Sequence, residues 1–148
     1  MERMNTINAL KAESLKQRVS LFLSCRKLKN LDAMSLSDPQ IEVHIMDPIS
    51  KTWCLVGKTE VINNNLNPDF SKFIECDFYF EREQNLKFIV YDIDSSTSKD
   101  HIGNVETTIG KLIGAPKQTF LADITLPGQN ISRGKLIVRL DNVALSND

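Results

Sequence analysis

The sequence predicts an all-β fold, an eight-stranded antiparallel Greek-key β-sandwich, and two observations carry this prediction. Eight short runs rich in Val, Ile, Phe and Leu are separated by Asp, Asn, Pro, Gly and Ser, the residues of turns. The connections between the runs are too short for the helical crossovers that parallel neighbours need, so antiparallel pairing is expected. Short strands at this spacing are typical of two packed sheets.

Several of the predicted strands alternate between apolar and polar positions, as half-buried strands do. In the second strand, Ile41 and Val43 lie on one face, while Glu42 and His44 lie on the other. The predicted strands are residues 18–26, 40–46, 52–62, 72–80, 85–92, 103–109, 119–126 and 135–141. Only the stretch at residues 107–117 has room for a helical turn.

Length and composition indicate one globular domain. The chain has 148 residues, of which 41% are hydrophobic and 25% are charged. A chain of this size buries roughly 70% of its unfolded surface around a single core. We expect a domain at residues 17–143, preceded by a tail or short helix at 1–16 and followed by a tail at 144–148.

Charge and cysteine content argue against several classes of protein. Eighteen Lys and Arg against nineteen Asp and Glu give a formal net charge of -1, so no overall field attracts nucleic acid or an anionic membrane. Cys25, Cys54 and Cys76 lack the paired spacing of a zinc site and are odd in number, which predicts reduced thiols. No apolar run is long enough for a signal peptide or a membrane span. We therefore expect a cytoplasmic protein that does not bind nucleic acid.

Acidic residues concentrate in two of the predicted connections. Asp32 and Asp38 follow the first strand, and a second group follows the fifth: Asp92, Asp94 and Asp100. In an antiparallel sandwich the connections after strands one, three and five tend to emerge at the same end, so these carboxylates should share one rim. Two carboxylates about 4 Å apart repel by roughly 4 kcal/mol at an effective dielectric near 20. A cation is expected among them, and Ca²⁺ suits a cage of flexible carboxylate ligands better than Mg²⁺.

The motifs around these acids resemble those of a C2 domain, and the resemblance covers about residues 17–143. The motifs are Asp32 with Ser37-Asp38-Pro39, Asn67-Pro68 with Phe70, and Asp92-x-Asp94-x5-Asp100 with Ile102-Gly103. Because an acidic loop follows the first strand and three strands follow the last acidic loop, the permuted type II topology fits better than type I. The run at residues 59–94 is most similar to the first C2 domain of a copine.

This resemblance implies calcium-dependent binding to anionic phospholipid, and it implies no enzymatic activity. Two or three Ca²⁺ ions would cancel or reverse the charge of the rim and move a cytoplasmic protein to membranes on a calcium signal. The implied ligands are Asp32, Asp38, Asp92, Asp94 and Asp100, with the backbone carbonyls of Leu31 and Ile93 as further candidates. The candidates for membrane contact are Met34, Leu36 and Lys99.

Other interpretations explain less of the sequence. An EF-hand loop beginning at Asp92 would place Thr97 at its glycine position and Gly103 at its final carboxylate position. The motif Asp94-x-Ser96-x-Ser98 matches A-type adhesion domains, but those need a parallel sheet with crossover helices. An enzyme built on Asp92 and Asp94 lacks a phosphate-binding loop and a nucleophile. The alternative that stays open is a C2-like sandwich that binds protein partners without calcium.

Overall fold

Two four-stranded antiparallel sheets face each other across one hydrophobic core. The computed structural model describes residues 16–79 and 81–142. The strands are β1 (Lys16–Arg26), β2 (Pro39–Met46), β3 (Trp53–Lys58), β4 (Ile74–Tyr79), β5 (Asn85–Ile93), β6 (Lys99–Thr108), β7 (Thr119–Asp123) and β8 (Lys135–Asn142). A short helix, α1 (Ile109–Ile113), and a 3-10 turn (Pro116–Gln118) connect β6 to β7.

The strand order is β4-β1-β8-β7 in one sheet and β3-β2-β5-β6 in the other. Every pairing between these strands is antiparallel, which confirms the predicted all-β sandwich. Since β1 and β2 belong to different sheets, the loop between them crosses from one sheet to the other at one end of the sandwich. The type II topology stays a prediction.

The core is built from alternate residues of the strands, as the period of a pleated strand requires. In β5, Leu86, Phe88 and Val90 are fully buried, and the residues between them are partly exposed. Asp92 continues the same alternation and is also fully buried. A carboxylate therefore occupies the last core-facing position of a central strand.

The third strand is shorter than the sequence predicts, because side-chain hydrogen bonds replace part of the backbone pairing beyond its end. β3 ends at Lys58 rather than at residue 62. The Thr59 hydroxyl accepts a hydrogen bond from the Ile41 N–H at 3.0 Å, and the Gln40 side chain donates to the Thr59 carbonyl at 2.8 Å. Side-chain bonds of this kind compete with the regular sheet pattern.

The seventh strand is also shorter than predicted, because the chain leaves one sheet for the other. β7 ends at Asp123, and Thr125 then pairs with Asn104 of β6 through two backbone hydrogen bonds of 2.8 and 3.1 Å. This crossing ties the two sheets together beside β6.

The sixth strand begins earlier than predicted, at Lys99 instead of residue 103. Asp100 is therefore a strand residue, and it lies directly opposite Asp92 of β5. The predicted helical turn after this strand is confirmed by α1, whose first turn is capped when the Thr108 hydroxyl accepts a hydrogen bond from the Lys111 N–H at 3.2 Å.

The two predicted tails lie largely outside the described residues. Of the segment at residues 1–16, only Lys16 is described, and it begins β1. The segment at 144–148 lies wholly outside. In the part of the chain that the structure describes, no helix is long and apolar enough to cross a bilayer.

Two glycine-to-alanine substitutions should have opposite effects on stability. A Cβ at Gly103 would lie 2.6 Å from Ile124 Cγ2 and 3.0 Å from the Thr125 carbonyl oxygen, where the two sheets are tied together. Gly103→Ala should therefore lower the free energy of unfolding by about 1–3 kcal/mol, as overpacking does. Gly110→Ala on α1 meets nothing closer than 3.9 Å and should be neutral or slightly stabilising. Urea denaturation of both variants measures the contrast, and equal effects would contradict it.

Candidate metal centre

Three loops meet at one end of the sandwich. They are the β1–β2 loop (27–38), the β3–β4 loop (59–73) and the β5–β6 loop (94–98). The Asp38 N–H donates to Asp92 Oδ1 at 2.9 Å, and Asp38 Oδ1 accepts from the Asn64 N–H at 2.7 Å. The Ile93 N–H donates to the Asp38 carbonyl at 2.9 Å. Asp38 thus connects the β1–β2 loop both to the β3–β4 loop and to the end of β5.

Three of the predicted ligands form a compact group. Asp32, Asp92 and Asp94 each have a carboxylate oxygen within 4.8 Å of the others. Asp92 is buried, Asp32 is half-buried and Asp94 is exposed, so the group runs from the core to the surface. This spread leaves the outer side of the group open to solvent.

Asp92 is the buried member of this group, and it has an unused oxygen. Its Oδ1 accepts the bond from Asp38, but among the described residues no donor reaches its buried Oδ2. A buried acceptor without a partner is costly, and a carboxylate oxygen is costlier than a neutral one. A cation held between Asp92 and its two neighbours would satisfy this oxygen. The donor set, carboxylates without His or Cys, is the one that a hard cation such as Ca²⁺ prefers.

The other two predicted ligands lie at the edge of this group. The pKa of Asp94 is raised to about 6, and the largest cause is the hydrogen bond that its protonated carboxyl can make with Asp100. Desolvation and the charges of Asp100, Asp92 and Asp32 raise it further. The Asp38 carboxylate is held by Asn64, so its contribution to a metal site is less direct.

Repulsion among the acids also affects Asp32. Partial desolvation is the main cause that raises its pKa, and the neighbouring Asp92 carboxylate is the next. Both raised pKa values mean that the negative form is disfavoured where these side chains lie. At neutral pH, desolvation and repulsion among these carboxylates therefore destabilise the ionised form of the rim.

Polar side chains inside the β1–β2 loop hold Asp32 in place. The buried Ser37 hydroxyl accepts from the Leu31 N–H at 3.1 Å, and the Asn30 side-chain oxygen accepts from the Asp32 N–H at 3.2 Å. The Asn30 amide also donates to the Ser35 carbonyl at 3.1 Å. These bonds fold the loop back on itself, so Asp32 is positioned by the loop itself.

The two backbone-carbonyl candidates, Leu31 and Ile93, lie beside the group. Leu31 packs partly against the core, and its N–H is bound to Ser37. Ile93 ends β5, and its N–H is bound to Asp38. Both residues are therefore held next to ligand candidates.

The membrane-contact candidates differ in their freedom. Met34 and Leu36 are 96% and 41% exposed on the β1–β2 loop. Lys99, in contrast, forms an ion pair with Glu42 at 2.9 Å and lies over the Tyr91 ring at 4.1 Å from its centroid. Lys99 would have to leave both contacts to reach a lipid phosphate.

Comparison with known proteins assigns the family. The family model described as "C2 domain" matches residues 12–124. This chain belongs to the C2 domain family. Among curated relatives of Dictyostelium discoideum, Copine-E is 40% identical over 126 residues and Copine-B is 42% identical over 121 residues. These matches cover 81% and 77% of this chain but 22% and 23% of the relatives.

A solved structure shows the same fold. A single C2 domain of plant Extended Synaptotagmin 1 superposes with a TM-score of 0.67, covering 88% of this chain and 97% of that one at 23% identity. C2 domains commonly bind Ca²⁺ and generally bind phospholipid membranes and proteins.

Sequence reasoning missed two residues that build this C2 domain's rim. Asn64 has a left-handed backbone, with φ of 50°, and its N–H binds the Asp38 carboxylate. Asn tolerates this conformation better than most residues, so the run Asn63-Asn64-Asn65 was a usable signal. Ser37 belongs to the motif Ser37-Asp38-Pro39, but the motif did not indicate that its buried hydroxyl binds the Leu31 N–H.

The pKa of Asp94 leads to a pH-dependent prediction for the metal-free protein. Because the folded state raises this pKa from 3.8 to about 6, it binds the proton more tightly than the unfolded state does. The ionised carboxylate therefore destabilises the fold, and this loss grows as pH rises from about 4 to about 6. Asp94→Asn should be more stable than the wild type at about pH 7.5 and equal to it near pH 4.

Urea unfolding in the presence of a chelator measures this difference. Asp47→Asn serves as the control, because the Ile49 N–H lowers the pKa of Asp47 and its ionised form stabilises the fold above about pH 4. Asp47→Asn should therefore bring no gain in stability at neutral pH. A wild type as stable as Asp94→Asn at neutral pH would contradict the prediction.

Proposed function

We propose that this chain is a calcium-dependent phospholipid-binding module. One observation carries the proposal: the buried Asp92 carboxylate, whose Oδ2 has no hydrogen-bond partner among the described residues, lies in a group with Asp32 and Asp94. Five aspartates would hold two or three Ca²⁺ ions, with the carbonyls of Leu31 and Ile93 as further ligands. The five are Asp32, Asp38, Asp92, Asp94 and Asp100.

The charge balance of the rim explains why docking would depend on calcium. The five ionised carboxylates carry five negative charges, which repel an anionic leaflet. Two divalent ions would reduce this charge to about -1 and three would change it to about +1, by simple addition. A near-neutral chain thereby acquires a local attraction for lipid phosphate without a change of fold. When bound, Ca²⁺ supplies positive charge and open coordination positions for phosphate oxygens.

The β1–β2 loop would make the apolar contact with the bilayer. Met34 and Leu36 lie on the same loop as Asp32 and are exposed to solvent. Exposed apolar side chains beside a neutralised acidic rim can insert into the headgroup region. Lys99 would contribute only after leaving Glu42 and Tyr91.

We further propose a cytoplasmic protein that moves to membranes when calcium rises, acting by binding and not by catalysis. Since the chain spans about a fifth of the copines that it matches, this function is proposed for the domain. Protein partners bound without calcium are the alternative, and the two experiments below separate it from the lipid-binding function.

Calcium should stabilise the fold, because a ligand that binds only the folded state shifts unfolding by mass action. At about 100 times the dissociation constant the gain is about 2.7 kcal/mol per site, which raises Tm by roughly 5–10 °C for a domain of this size. Differential scanning calorimetry with calcium, magnesium or chelator measures the shift. Asp92→Asn should fold but lose the response to calcium. A wild type with no calcium shift and no heat of calcium binding would support the calcium-independent alternative.

Membrane docking should require both calcium and the acidic group. The 148-residue chain should sediment with phosphatidylserine vesicles in calcium and stay in solution in chelator. Asp92→Asn/Asp94→Asn should stay in solution in both conditions. The matched control, Asp47→Asn/Asp141→Asn, removes the same charge from acids distant from the metal-ligand group, and it should behave as the wild type does. Calcium-independent sedimentation of all three proteins would refute the proposed mechanism.

A further inference from the structure

A fourth loop reaches the same rim as the acidic loops. β8 begins at Lys135, which pairs with Arg26 at the end of β1. The β7–β8 loop (124–134) therefore emerges beside the β1–β2 loop. The Lys29 N–H donates to the Arg133 carbonyl at 2.8 Å and joins the two loops directly.

These two loops enclose a basic cavity of about 230 Å³. It is lined by Lys27, Lys29, Gln129, Ile131, Ser132 and Arg133. Three of the lining residues are cationic and none is acidic. The cavity lined by Lys58 and Lys99 on the other sheet differs, because Glu42 also lines it and pairs with Lys99. We refer to the cavity between the β1–β2 and β7–β8 loops as the basic cavity.

The cations of the basic cavity are not neutralised by neighbouring acids. Among the described residues, Lys27, Lys29 and Arg133 form no ion pair, whereas the nearby Arg26 and Lys135 each have an acidic partner. The partner of Lys135 is Asp123, which is held by Lys135 at 2.7 Å and by the Ser132 hydroxyl at 2.9 Å. A positive potential is therefore concentrated at one place on a chain whose net charge is -1.

Arg133 is held in a fixed position. Its Nε–H donates to the Ile102 carbonyl, so the base of the guanidinium is anchored to β6. The terminal nitrogens remain as donors that suit the paired oxygens of a phosphate group. Lys27 and Lys29 add flexible point charges, and Ile131, which is 73% exposed, adds an apolar contact at the edge of the cavity.

We propose that the basic cavity binds the phosphate headgroup of an anionic phospholipid, at a site separate from the aspartates. The proposal rests on the proposed function in that both place the same rim against a bilayer. Lys27 and Lys29 lie at the start of the loop that carries Asp32 in its middle and Asp38 at its end. The β1–β2 loop would thus contact the membrane at two places, the basic cavity and the aspartates. Together these contacts would fix the orientation of the sandwich on the membrane, and only the aspartate contact requires calcium.

The test removes the flexible charges and leaves Arg133 and the aspartates in place. Lys27→Gln/Lys29→Gln is compared with Lys51→Gln/Lys117→Gln, which lies at the opposite end of the strands and removes the same charge. The match extends to the backbone, since Lys27, Lys51 and Lys117 have φ of 54°, 58° and 54°. The measurement is the affinity of the full chain for vesicles containing about 30% phosphatidylserine in saturating calcium, at about 0.15 M and 0.5 M salt.

The cavity variant should bind these vesicles about 30-fold more weakly than the wild type at the lower salt, since each basic residue near an anionic surface contributes about fivefold. The control should bind as the wild type does, and calcium titration by calorimetry should be the same for all three. The difference should nearly vanish at the higher salt, because charges are screened there. Equal weakening of both variants, no weakening, or a difference that persists at high salt would overturn the proposal.

Failure of the calcium mechanism is distinguishable from failure of this proposal. If the wild type shows no calcium response, the same comparison is made in chelator. Weaker residual vesicle binding by the cavity variant alone would then still support the basic cavity. No vesicle binding by the wild type in either condition would overturn it.

Discussion

The Asp92 carboxylate lies at a core-facing position of β5, where the alternation of the strand would otherwise place an apolar side chain. Its Oδ1 accepts a hydrogen bond from the Asp38 N–H. This bond connects the β1–β2 loop to β5, one of the two central strands of the β3-β2-β5-β6 sheet. Asp100 is held opposite Asp92 by the strand pairing, and like charges at such a position destabilise a sheet. The architecture of the rim depends on how this one buried charge is accommodated.

In our proposal, the repulsion around the buried Asp92 carboxylate links the stability of the fold to cation binding. Hydrogen bonds accepted by the side chains of Asn30 and Ser37 hold the β1–β2 loop in place around Asp32. Repulsion among the acids remains, and it appears in the raised pKa values of Asp32 and Asp94. In our proposal, these carboxylates are held in place but repel one another, so they would bind a cation at low ordering cost and the fold would gain stability from it. The two sheets hold the loops in place against this repulsion.

The rim combines two kinds of charge on neighbouring loops. The aspartates lie between the β1–β2 and β5–β6 loops, and the basic cavity lies between the β1–β2 and β7–β8 loops. The β1–β2 loop contributes to both, with lysines near its start and aspartates farther along. In our proposals the basic cavity attracts phosphate at all times, whereas the acidic group repels it until calcium is bound. The balance between these charges, and not the net charge of the chain, would set membrane affinity.

The sequence alone determined the strand count and the antiparallel sandwich, because alternation and turn residues are local signals, but it did not show that Asp100 lies on a strand paired opposite Asp92 rather than in a loop. It also indicated which acids to consider, since the spacing of Asp92, Asp94 and Asp100 is local. Only the tertiary structure decided that Asp92 is buried with a free oxygen, that Asp38 is held by Asn64, and that Lys99 is paired with Glu42. It also brought Arg133 beside Lys29, more than a hundred positions earlier in the chain. These outcomes depend on strand register and loop packing, which arise from contacts between distant residues and leave no periodic trace in the sequence.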